Sequence, residues 1–251
     1  MVRNAGIGVV MAASVVFGGD AAAACRTVTH LAQPYAVCSY DPAVSDIRIH
    51  HRGRDGLPHG GFEALARDLR QEGEYLEFAM NGGMYESDLT SVGLLVTEGT
   101  EAKPLARGQS WGNFYLKPNG VFFLQGKRAG VMETEAYAAA SIRPDFATQS
   151  GPMLVIDGAL HPAFLPHSDS LQIRNGVGVA RDGMAVFAIS LEPVRFHDFA
   201  TLFADRLDCP NALFLDGSIS SLFAPSLNRY DGAHPMGPII AVTRKIPGSG
   251  K

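Results

Sequence analysis

"FLDGSISSLFAP", Phe214 to Pro225, decides how the chain is read. The apolar run Ala212 to Leu215 reads as a buried strand that breaks at Asp216-Gly217, and three serines follow before apolar residues resume. Upstream, "FHDFATLFADRLD" places Phe199, Leu202, Phe203 and Leu207 on one helical face, while "NGVGVARDG" and "MAVFAIS" alternate as strands around Asp182-Gly183. The order is strand, strand, helix, strand. It occurs earlier as well: "YAVCSYDP" and "DIRIHHR" alternate, "GGFEALARDLRQEG" aligns Phe62, Leu65, Ala66 and Leu69, and "EYLEFAMNGG" is a strand ending at Asn81-Gly82-Gly83. These are two weakly repeated strand-strand-helix-strand halves. The expected fold is α+β, a large mixed, mostly antiparallel sheet with helices packed against it, the halves forming one cleft.

In both halves a helix feeds a buried strand that ends at Asn or Asp followed by glycine. Such strand ends are where sheets of this kind present their chemistry, so facing halves bring Asn81 and Asp216 into one cleft. The same dipeptides are also the commonest turn formers, because both residues tolerate positive φ. Between the halves, "NFYLKPNGVFFLQG" gives a hairpin signal at Pro118-Asn119-Gly120, and "VMETEAYAAA" reads as a short helix. Gln149-Ser150-Gly151-Pro152 forms a corner whose hydroxyl and amides are free to face a ligand. Arg174 and Asn175 stand at the mouth of the second half's first strand. The planar fork of arginine suits a phosphate or carboxylate, and equally suits bracing a loop through an Asp.

With 251 residues, 46% of them hydrophobic, the chain can fill one large core, and its 28 glycines imply much loop. A single domain over 25–251 is expected behind a signal peptide at 1–24. "MVRN" carries an arginine, "AGIGVVMAASVVFGG" is an apolar stretch too short for a secure membrane span, and "DAAAAC" offers small residues for cleavage. Export to a periplasmic or extracellular location follows. Cleavage after Ala24 leaves Cys25 first, which raises lipid anchoring as the lesser alternative, because Ala22 stands where a lipobox has a leucine-like residue. A net charge of −4 gives no pull toward nucleic acid or anionic membrane. In an oxidising compartment the three cysteines hold at most one disulfide. Cys25–Cys38 is the first choice, since a short separation closes easily, and Cys209 reads as a small core hydrophobe.

Taken together, "FAMNGGMY", "QSGPMLVIDG", "IRNGVGV" and "ALFLDGSISSL" resemble the phosphodiester glycosidase family in order and spacing, over about residues 35 to 243. Carried over by motif, the resemblance implies site residues Asn81 and Gly82, Ser150 and Gly151, Arg174 with its neighbour Asn175, and Asp216, Gly217 and Ser220. One departure is visible: relatives often read Asp-Gly-Gly where this chain has Ser218. The implied reaction is hydrolysis of a sugar-1-phosphodiester in envelope or exopolysaccharide metabolism, on a sugar-phosphate or glycan substrate and without a cofactor. Ordinary glycosidases need a second carboxyl group to protonate a poor leaving group. A phosphate monoester already leaves as a stable anion, so one carboxylate and one cation suffice. In that scheme Arg174, helped by Ser150, holds the phosphate, Asp216 faces the anomeric carbon as nucleophile or base, and Asn81 orients the substrate.

Two other classes compete. A non-catalytic carbohydrate-binding protein of polysaccharide assembly needs the cleft but not the carboxylate. A metal-dependent phosphodiesterase needs clustered His and Asp. Here His50 and His51 are adjacent on a strand and point to opposite faces, and His161, His167 and Asp169 sit in a polar loop. Calcium is not indicated by any motif. Trp111, the only tryptophan, lies in a Gly-rich loop where it either packs or stacks on a sugar ring.

Overall fold

The computed structural model describes residues 24–248. In chain order the first elements are β1 (Cys25–His30), β2 (Gln33–Tyr40), β3 (Asp46–His50), α1 (Phe62–Gln71), β4 (Glu74–Asn81), β5 (Leu95–Thr97) and β6 (Thr100–Lys103). Next come β7 (Gly120–Gln125), β8 (Arg128–Glu133), α2 (Thr134–Ala139), β9 (Phe146–Ser150), β10 (Met153–Ile156) and β11 (Ala159–Leu160). The chain continues through β12 (Asn175–Val179), β13 (Ala185–Ser190), α3 (Phe196–Thr201), β14 (Asn211–Asp216), β15 (Leu222–Ala224), β16 (Arg229–Tyr230) and β17 (Ile239–Lys245).

The fold is α+β and its strand pairings are antiparallel. The expected large sheet is divided into three: β1-β2-β13-β12-β14-β10-β11, β16-β15-β4-β17-β3 and β6-β5-β9-β7-β8. Their inner faces share one core. Phe187 of the first sheet, Phe78 of the second and Phe122 of the third meet there, with ring centroids 4.9 Å (Phe78–Phe187) and 5.9 Å (Phe122–Phe187) apart. Outer faces are covered separately, the first sheet by Phe199, Leu202 and Phe203 and the second by Phe62, Leu65 and Leu69 of α1.

The two halves keep their order of elements but not their pairing. In the second half β12 pairs with both β13 and β14. In the first, β2 joins β13 while β3 and β4 both flank β17. The helix expected at the second half is α3 followed by a wider π turn over Leu202–Arg206, where the Leu207 amide bonds to the Leu202 carbonyl at 3.0 Å. That widening keeps Leu202, Phe203 and Leu207 all turned inward. The hairpin expected at Pro118-Asn119-Gly120 is not there. Asn119 is buried, donating to the Phe114 carbonyl and accepting from Thr134 Oγ1, and β7 turns into β8 at Gly126-Lys127.

A disulfide joins Cys25 to Cys38, directly opposite each other on β1 and β2, which fastens the edge strand and leaves Cys25 no thiol for a lipid. Cys209 is free and buried. The signal-peptide reading falls on residues 1–24, of which all but Ala24 lie outside the described residues. Among the described residues no helix is long and apolar enough to cross a membrane.

Candidate active site

Strands β4 and β14 end side by side although 135 residues separate Asn81 from Asp216 in sequence. Asn175 at the start of β12 joins them. Its Nδ2 donates to Asn81 Oδ1 at 2.8 Å and to the Asn81 carbonyl at 3.2 Å, and its Oδ1 accepts from the Asp216 amide at 3.0 Å. Asn81 completes the brace by accepting the Ser221 amide at 2.9 Å on the same Oδ1. Both asparagines are fully buried, so every bond in this pair acts in a medium that gives no competing water. The loop from Gly217 to Ser221 is thereby held at both ends.

Other motif residues serve the same brace. Ser150 Oγ donates to the Leu215 carbonyl at 2.8 Å, and Ser220 Oγ donates to the Asp216 carbonyl at 2.8 Å. Gly151 is required by close approach: a Cβ there would lie 2.6 Å from Asn119 and 2.7 Å from the Phe114 carbonyl. Gly82 donates its amide to Pro238 and accepts from Thr148 Oγ1 on its carbonyl, fixing the exit of β4. The next residue, Gly83, has φ 150° and no room for a side chain beside Thr148.

Asp216 is 7% exposed and lines an open cavity of about 720 Å³. Burial pushes its carboxyl above the usual aspartate range, against the pull of the Ser218, Ile219 and Gly217 amides that converge on it. Across the cavity Tyr85 is pushed up to about 12 by burial and by the Asp216 charge. Its hydroxyl donates to the Pro235 carbonyl at 2.7 Å. Glu86, Trp111, Asn113 and Tyr115 are among the other polar and aromatic residues of the wall. Sequence reasoning missed Tyr85 and Glu86, although they follow "MNGGM" directly and a carboxylate in a loop after a strand end was the available signal.

Arg174 is the exception among the expected site residues. It precedes Asn175 and, strand neighbours pointing to opposite faces, it turns to the back of the sheet. There Nε donates to the Val194 carbonyl at 2.9 Å, Nη2 to the Ser170 carbonyl at 3.1 Å, and the guanidinium lies 3.6 Å over the Phe196 ring. The side chain lines neither cavity beside the Asp216 loop. The structure therefore brings together Asn81, Gly82, Ser150, Gly151, Asn175, Asp216, Gly217 and Ser220, and leaves the Arg174 side chain out. Among the described residues no three His, Cys, Asp or Glu side chains are grouped to hold a metal ion.

The raised Asp216 carboxyl gives a pH-dependent test. If Asp216 is the nucleophile or base it must first lose its proton, so activity rises with pH through its value. Asn113→Asp sets a like charge in the wall of the same cavity, away from the asparagine brace, and raises that value further. The acid limb of kcat/KM should move to higher pH, and a limb that stays in place would assign the titration to another group.

Fold and site define a protein class: an antiparallel α+β domain whose open cleft carries a desolvated carboxylate on a braced glycine-serine loop. The chain belongs to the phosphodiester glycosidase family, whose model matches residues 74–247. The uncharacterized protein YigE of Escherichia coli (strain K12) is 32% identical over 213 residues, covering 85% of this chain and 82% of that one. Among solved structures, the catalytic domain of zebrafish N-acetylglucosamine-1-phosphodiester alpha-N-acetylglucosaminidase, auto-inhibited by its pro-peptide, superposes with TM-score 0.58 at 12% identity. That match covers 87% of this chain and 81% of the zebrafish chain. A putative exported protein from Burkholderia pseudomallei gives TM-score 0.56 at 11% identity, over 84% and 74% of the two chains.

Proposed function

We propose that the protein is an exported hydrolase that cleaves a sugar-1-phosphodiester at its anomeric carbon, in envelope or exopolysaccharide metabolism. The observation that carries this reading is Asp216, a carboxylate desolvated at the wall of an open cavity yet held by three loop amides, in a chain of this family. A turn-forming aspartate gains nothing from desolvation. A carboxylate that must approach a developing oxocarbenium ion, or take a proton from water, gains from the stronger electrostatics of a dry wall. In this reading Asp216 is the catalytic residue. Asn81, Asn175, Ser150 and Ser220 are positioning residues, with Gly82, Gly151 and Gly217 giving the backbone its path.

The departing phosphate monoester requires no protonation, so the exposed Glu86 is not needed as a strong acid. Hydrolysis in oxygen-18 water tests the bond that breaks. Label is expected in the sugar hydroxyl released at the anomeric carbon. Label in the phosphate would mean attack at phosphorus and would replace this reading with a phosphodiesterase.

A further inference from the structure

Beyond the Gly217–Ser221 loop lies a second open cavity, of about 870 Å³, that shares Ser218 and Ile219 with the first. The two differ in chemistry. The Asp216 cavity has no basic side chain in its wall, whereas the second has Arg229 and His234 in its own. Arg229 is fixed there by Asp231, with Nη2 2.8 Å and Nε 2.9 Å from Oδ2, and the same oxygen accepts the Leu222 amide at 2.9 Å. The cation is thus tied to the strand that leaves the Asp216 loop.

Each cavity also has an exposed aromatic ring in its wall. Trp111 is 94% exposed in the first and Tyr230 is 59% exposed in the second. Of the large apolar side chains exposed among the described residues, only these two and Tyr75 are aromatic, so two of three flank one loop. Tyr230 is presented rigidly by an edge contact with Phe223, centroids 5.5 Å apart. An aromatic face left in water beside a polar cavity suits the C–H face of a sugar ring, which gives apolar contact while its hydroxyls stay hydrogen-bonded. Both cavities open to solvent.

We propose that these cavities are successive subsites of one groove, and that the substrate is a glycosyl-phosphate polymer cut internally. The inference rests on the phosphodiester glycosidase reading. One sugar lies against Trp111 with its anomeric carbon at Asp216. The phosphate crosses the Ser218–Ser220 ridge toward Arg229 and His234, and the next sugar lies against Tyr230. In each cut the oxygen of water bonds to the anomeric carbon as the bond from that carbon to the phosphate oxygen breaks, the electron pair leaving with the phosphate. Water's proton passes to Asp216 or solvent. The products are a new reducing end and a new phosphate monoester end.

The test uses size-defined polymers of hexose and N-acetylhexosamine 1-phosphates beside the methyl phosphodiesters of the same sugars. Polymer length should fall through intermediate sizes before single units accumulate. Tyr230→Ala should lower the ratio of kcat/KM for polymer over methyl diester about tenfold, the scale of one lost aromatic stack. Release of single units only, or a ratio that Tyr230→Ala does not move, overturns the groove. Cleavage of a methyl diester with every polymer untouched overturns the groove and leaves the glycosidase reading standing. If no diester of either kind is cleaved, the glycosidase reading falls and the groove with it.

Discussion

Asp216→Asn protein is expected to fold and to retain ligand while turnover falls at least ~10²-fold, the lower end for a lost acid-base group. The substitution keeps the shape of the side chain and removes its charge. Oδ1 can still accept the Ser218 amide, which it meets at 2.8 Å, so the loop keeps its first bond. Stability moves the other way from activity. The folded state holds the Asp216 carboxyl above its ordinary value, so the stabilising contribution of this group is present below the unfolded value and is lost as pH rises through the folded one. At neutral pH the ionised side chain is a cost of folding, and the melting temperature of the variant should equal or exceed that of the parent. Quenching of Trp111, the only tryptophan, reads affinity in the same sample. Wild-type turnover in the folded variant would make Asp216 a turn former and put the catalytic group elsewhere in the cleft.

The strand ends that carry the site were legible because each closes a strong apolar run with Asn or Asp and glycine, a pattern set by a few adjacent residues. Partition into three sheets was not. Whether β2 pairs with β3 or with β13 is decided by contacts between segments far apart in sequence, and alternation within a strand is the same in either case. The Asn119-Gly120 pair misled for a related reason. Its side chain is satisfied by Phe114 and Thr134, groups that a local turn signal does not include. Asn175 is the clearest case of a residue whose importance is spatial. Nothing next to it in sequence announces that its carboxamide links β4 to β14, yet without that link the Asp216 loop has no fixed start.

Arg174 turns on a one-residue offset. Asn175 faces the brace, so its neighbour must face the back of the sheet, where the guanidinium is buried against Phe196 and two carbonyls and has no ion-pair partner among the described residues. Burial pushes its value down to about 10, which still leaves a cation at neutral pH. Ser170 and Val194 lie on the two segments that flank β12 and β13, and a single charged group satisfies both carbonyls. Arg174→Ala should therefore cost about 3 kcal/mol or more, from two hydrogen bonds to a charged donor at about 1.5–3 kcal/mol each and the lost cation-π contact. Arg174→Lys should recover only part of this, since an ammonium cannot supply the planar fork or stack on Phe196. Denaturant unfolding measures the loss, and kcat/KM per mole of folded protein, taken well below the melting temperature, separates it from catalysis. A stable Arg174→Ala protein whose kcat/KM has collapsed would put the guanidinium on the substrate after all. The buried geometry requires the opposite, a large loss of stability with the chemistry of the folded fraction intact.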